Sequence, residues 1–120
     1  MKILIGGTRD FTDYALLKRE VGIIIEENKI KDPEIVSGCA RGADSLAIKY
    51  ANEMGFKLHK FPTDWTNLGK KAGPLRNIKM GEFIKNDGIV VLFWNGYSKG
   101  TKHMLDVSRN HNIPTYIIYY

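Results

Sequence analysis

A single cysteine, Cys39, stands in a chain of 120 residues, so no internal disulfide is available and a reducing compartment suits the protein. Long apolar runs are missing too. The longest, Ile89 to Trp94, falls far short of the roughly 20 residues that span a bilayer. Strand-like residues follow Met1 directly, so no secretory signal peptide is expected. Repeats, low-complexity tracts and linker-like stretches are absent. No GxGxxG occurs, and "GYSKGTK" lacks the GxxxxGK[ST] spacing of a P-loop. His59, His103 and His111 fall on different elements without metal-ligand spacing, so neither a metal nor a cofactor is expected. Zinc-finger spacing, a recognition helix and a basic–aromatic stripe are also absent. What remains is the expectation of a cytoplasmic chain forming one domain over residues 1–120.

Hydrophobic residues make up 43% of the chain, enough for a proper core. The formal charge of +5 favours anionic partners without choosing between nucleotides and polymers. The lysines are scattered, and only Lys70 and Lys71 are adjacent, which reads as a solvated basic surface.

Short β-rich runs alternate with longer helical ones. "KILIGG" predicts a buried strand, and Leu17, Val21, Ile24 and Ile25 share one face of a helix from Asp13 to Asn28. "EIVSG" predicts a second strand. A helix over 43–54 would bury Leu46, Ala47, Tyr50, Ala51 and Met54, with Gly55 stopping it. "FKLHKF" follows as a strand, then a long polar loop. Pro74 suits the first turn of a helix running to about Asn86. "GIVVLFW" lacks polar alternation and predicts a central strand covered on both faces. A helix from about Thr101 to His111 and a last strand, "PTYIIYY", close the chain. The alternation implies an α/β Rossmann-like three-layer sandwich, with a mostly parallel five-stranded sheet and helices on both faces.

Such sheets bind ligands at the carboxyl ends of their strands, where the connection order reverses. That rule selects loops 6–12, 37–44, 62–77 and 94–101. In the first, Gly6 and Gly7 allow close approach, while Thr8 and Arg9 suit phosphate oxygens. In the second, Gly38 and Gly42 flank Arg41 at a helix start that attracts anions. Asp44 suits either a ribose hydroxyl or a helix cap, the cap being favoured. Cys39 has no evident base partner and reads as a small loop residue. In the third, Arg76 and Asn77 begin a helix and can point back at the site, and Asp64 is the weak candidate for a catalytic acid. Trp65 suits either base stacking or a local core. In the fourth, Gly96 and Gly100 frame Ser98 before Thr101, a turn able to cradle phosphate with amides and hydroxyls.

Together "GTRDFTDY", "SGCARGADSLAIKYA", "FPTDWTNLGKKAGPLRNIKM" and "FWNGYSKGT" resemble the YspA-type (DUF2493) branch of the SLOG superfamily, over nearly the whole chain. That superfamily includes the lonely-guy cytokinin-activating enzymes and the DprA/Smf DNA-processing proteins. The resemblance implies a pocket for a nucleotide or nucleotide derivative, and paired subunits. By position it implies pocket roles for Gly7, Thr8 and Arg9, for Ser37, Gly38, Arg41 and Gly42, for Arg76 and Asn77, and for Gly96, Ser98, Gly100 and Thr101.

One departure stands out. The lonely-guy pattern places a glutamate three residues after its threonine to assist cleavage of the base–ribose bond, and this chain has Met104 there. Asp106 sits about 200° further round a helix. Any substitute acid would come from Asp10, Asp44 or Asp64. The sequence therefore leads to a nucleotide-derived ligand of the NAD, ADP-ribose or signalling-nucleotide kind, bound for sensing or sequestration. N-glycoside hydrolysis is the alternative. Single-stranded nucleic acid ranks last, for want of a continuous basic groove.

Overall fold

Period-two alternation in β1 (Lys2–Gly7) sends Ile3 and Ile5 to one face of the sheet and Leu4 to the other, all three at most 1% exposed. A computed structural model describes residues 1–120 and shows the elements that cover both faces. These are α1 (Tyr14–Glu27), β2 (Glu34–Ser37), α2 (Ala43–Met54), β3 (Lys57–Lys60), α3 (Trp65–Leu68), α4 (Ala72–Ile84), β4 (Gly88–Trp94), α5 (Lys99–Asn110) and β5 (Thr115–Tyr119). All five strands run parallel in the order β3-β2-β1-β4-β5.

Ile3 pairs in register with Ile35 and Ile89, and with Ile5 these side chains meet α1 and α2 through Leu17, Val21, Ala47 and Tyr50. Leu4 pairs with Val36 and Val90 and meets α4 and α5 through Met80, Ile84, Met104 and Leu105. Two cores, one on each face, make the three layers. β4 feeds both through Ile89, Val91 and Phe93 on one side and Val90 and Leu92 on the other, which is why its sequence shows no polar alternation.

Two expectations need correction. The segment 62–77 is not one long loop. Asp64 caps α3 by accepting from the Asn67 amide at 3.2 Å, and a 3₁₀ turn over Gly69–Lys71 leads into α4 at Ala72. Pro74 is therefore the third residue of α4, still among the first four amides that a helix leaves without an internal acceptor. The apolar stripe of α2 also ends early: Met54 is 45% exposed, and Phe56 packs its ring on Tyr50 at 5.9 Å. No helix is long and apolar enough to cross a membrane.

The chain winds outward from β1 through β2 to β3, then crosses back to place β4 on β1's other side. The loops after β1 and β4 diverge at that reversal, and the crevice between them opens there.

Candidate functional site

Thr8, the first residue after β1, ties three segments together. Its amide donates to the Phe93 carbonyl at 2.9 Å and its hydroxyl accepts from the Asn95 amide at 3.1 Å. Its carbonyl accepts from the Ala43 amide at 3.3 Å, where α2 begins. The three loops thus enclose a crevice of about 440 Å³ with a fixed geometry.

At the mouth of α5, the Asn95 side-chain oxygen accepts from the amides of Tyr97 and Ser98, at 2.8 and 3.0 Å. Ser98 then caps the helix by accepting from the Thr101 amide at 3.3 Å. Lys102 closes the first turn onto the Ser98 carbonyl, while the amides of Lys99 and Gly100 make no hydrogen bond within the chain. Two free donors at the positive end of a helix form a cradle for an anion.

Arg76 enters from α4. Its Nε donates to the Asn77 side chain at 2.9 Å, and its Nη1 donates to the Gly38 carbonyl and to the Thr63 hydroxyl, the latter at 3.1 Å. Gly38 is required for this close approach, because a β-carbon there would run into the guanidinium and lie 2.8 Å from the Asp44 carboxyl. Asn77 extends the link to α5, with its amide nitrogen 3.1 Å from His103 Nδ1. Arg76 is therefore held from three sides and presents an oriented cation rather than a mobile one.

Asp44 faces it, with Oδ2 at 4.0 Å from Nη1 and the residue only 7% exposed. It does not cap α2 in the expected way. The cap position belongs to Gly42, which makes no side-chain cap, and the carboxylate reaches back to the Ala40 amide at 3.2 Å. Burial pushes the Asp44 carboxyl above the ordinary carboxylate range, and Arg76 with the Ala40 and Gly7 amides offsets only part of that. Burial likewise lowers the Arg76 guanidinium, with Asp44 opposing.

A carboxyl raised by folding contributes most to stability below its unfolded value of about 3.9, and that contribution fades as pH rises through the folded value. The melting temperature of the wild type relative to Asp44→Asn is expected to decline from about pH 4 to pH 8. A relative stability that climbs over that range would show the carboxyl to be lowered instead.

Of the residues selected from sequence, the crevice gathers Gly7, Thr8, Arg9, Gly38, Asp44, Arg76, Asn77, Ser98, Gly100 and Thr101. Ser37 is fully buried beneath it, donating to the Asp44 carbonyl at 2.8 Å and bracing the second loop. Gly42 sits behind the Thr8 and Arg9 carbonyls, and Gly96 shapes the turn without lining the cavity. Arg41 and Trp65 line a different cavity. Asp64 is engaged with Asn67 through both carboxylate oxygens, at 3.2 and 3.1 Å. Trp94 donates its ring N–H to the Ser98 carbonyl at 3.1 Å and packs on Tyr119.

Sequence reasoning passed over Asn95, Tyr97 and Ala40, which line the crevice. An asparagine just after a strand and before glycine is a turn signal that pointed to the first of these. Met104, 4% exposed, joins Leu4, Leu92 and Met80 in an apolar floor. That floor was not visible beforehand because its members come from four elements.

Fold and crevice together define a Rossmann-like α/β protein with its crevice at the reversal point of the sheet. The chain matches the YspA, cpYpsA-related SLOG family (YAcAr) over residues 1–67 and belongs to that family. It is also similar to the Gene 61 protein of Mycobacterium phage D29, at 38% identity over 87 residues, covering 67% of this chain and 66% of that protein.

Proposed function

We propose that the protein binds a nucleotide or nucleotide-derived small molecule in the β1/β4 crevice, for sensing or sequestration. The observation that carries this reading is the convergence of Arg76 and of Gly100, with its free amide at the start of α5, on one cavity at the sheet's reversal point. Phosphate would lie at the α5 amides with Arg76 and Arg9 as counter-charges. The sugar and base would cover the apolar floor of Leu4, Leu92, Met80 and Met104.

The character of that floor favours binding without cleavage. A methionine thioether neither donates nor accepts a proton, so Met104 supplies none of the acid–base assistance that breaking a glycosidic bond requires. Asp44 supports a second reading, nucleotide N-glycoside hydrolysis, because its carboxyl lines the same cavity and burial raises it above the ordinary carboxylate range.

Incubating the protein with each nucleotide that stabilises it, then separating the products, decides between the two. Intact ligand supports binding. Free base that disappears with Asp44→Asn supports hydrolysis.

A further inference from the structure

We infer that His103, which does not line the crevice, is a positioning residue for Arg76: it acts through Asn77, and only as the uncharged imidazole protonated at Nε2. This rests on the reading of Arg76 as the ligand's counter-charge.

Asn77 is 5% exposed and stands between α4 and α5. Its side-chain oxygen accepts from Arg76 Nε at 2.9 Å, and its nitrogen donates to the Gly100 carbonyl at 3.4 Å. A guanidinium only donates and a carbonyl only accepts, so both neighbours demand the same orientation of the amide. The nitrogen therefore also faces His103 Nδ1, 3.1 Å away, as a donor. Nδ1 must accept, which leaves the proton on Nε2. An imidazolium donates from both nitrogens and would set N–H against N–H here. His59 and His111 differ, since each faces a glutamate, at 2.7 and 3.5 Å.

The two acceptors on α5 are three residues apart and share one face of the helix. Gly100 gives its amide to the anion cradle and its carbonyl to Asn77. One buried side chain thus fixes both the cation and the helix end that meet in the crevice. The Gly100 bond is long, so the shorter His103 contact supplies most of the restraint on the amide. Without it a buried donor is poorly matched and the amide can turn over. Turned, it would present N–H to the Arg76 Nε–H. The bonds to Gly38 and Thr63 use Nη1 alone, so neither replaces the lost hold on Nε.

The test compares His103→Leu, which fills the space without an acceptor, with His103→Asn, whose Oδ1 stands as many bonds from the backbone as Nδ1. Nitrogen-15 NMR of the free protein at about pH 8 should show the His103 ring protonated at Nε2. The Arg76 Nε–H signal should be sharp in the wild type, lost to exchange in His103→Leu and restored in His103→Asn. Calorimetric titration with adenosine monophosphate should show binding roughly tenfold weaker in His103→Leu and within about threefold of wild type in His103→Asn.

A ring protonated at Nδ1 overturns the inference. So does His103→Leu if it keeps either the Nε–H signal or the wild-type affinity, and so does His103→Asn if it restores neither. If the wild type binds no monophosphate while the Nε–H signal still follows the acceptor, the positioning of Arg76 stands and the nucleotide reading is what fails.

Discussion

Arg76→Ala is expected to abolish the thermal stabilisation that a bound nucleotide confers. A ligand held at 100 times its Kd adds about 2.7 kcal/mol to stability. A charge-assisted hydrogen bond contributes roughly 1.5–3 kcal/mol. Loss of a guanidinium able to make two of them would weaken binding on the order of 100-fold, leaving about 0.4 kcal/mol at the same concentration. The side chain also faces a buried carboxylate at 4.0 Å, so its removal strands Asp44 and lowers the melting temperature of the free protein as well. Arg76→Lys separates the two effects. Lysine keeps the positive charge near Asp44 but cannot bond Asn77, Gly38 and Thr63 at once. Stability should largely return while the ligand-induced shift stays small. A full shift in both variants, measured by differential scanning fluorimetry, would sink the assignment of Arg76 to the phosphate.

The second large effect is on the fold. Gly42→Ala should cost about 3 kcal/mol or more, and hence more than about 10 °C in melting temperature for a domain of this size. Gly42 has φ +76° and ψ −130°, a region that side chains avoid, and its β-carbon would collide with the carbonyl oxygens of Thr8 and Arg9. Those are rigid backbone atoms, and the Thr8 carbonyl already accepts from Phe11 and Ala43. The collision therefore cannot be relieved without parting the first loop from the start of α2. Gly55→Ala is the matched control. Gly55 also has a positive φ, +71°, but nothing lies within 4 Å of its added carbon, so only conformational strain of roughly 1–2 kcal/mol remains. Equal losses in the two variants, measured by thermal unfolding, would mean that loop contact contributes nothing.

Much of this architecture was legible in the residues themselves. The alternation of β1, the unbroken apolar run of β4 and the helical spacing of Leu17, Val21 and Ile24 each identify an element from its own side chains, because burial on one face or two leaves a local periodic record. The glycines of the four loops were legible for the same reason. A tight turn restricts the residue that makes it, and that restriction is written at the position.

The division of labour among loop residues was not written there. Arg41 and Arg76 look alike as arginines beside glycine-rich turns, yet one stands exposed at a second cavity and the other is clamped between α4 and the second loop. Asp44 reads locally as a helix cap, and becomes a buried partner of Arg76 only when residues 32 positions apart are brought together. Met104 signals only a missing glutamate until Leu4, Leu92 and Met80 close around it.

The sequence by itself determined the order of elements, the parallel sheet and the crevice-forming loops, since those follow from local periodicity and turn chemistry. Which cations meet in one cavity, and which carboxyl is kept out of water, only the tertiary structure decided. Burial and charge pairing depend on distances between segments, and no single segment encodes them.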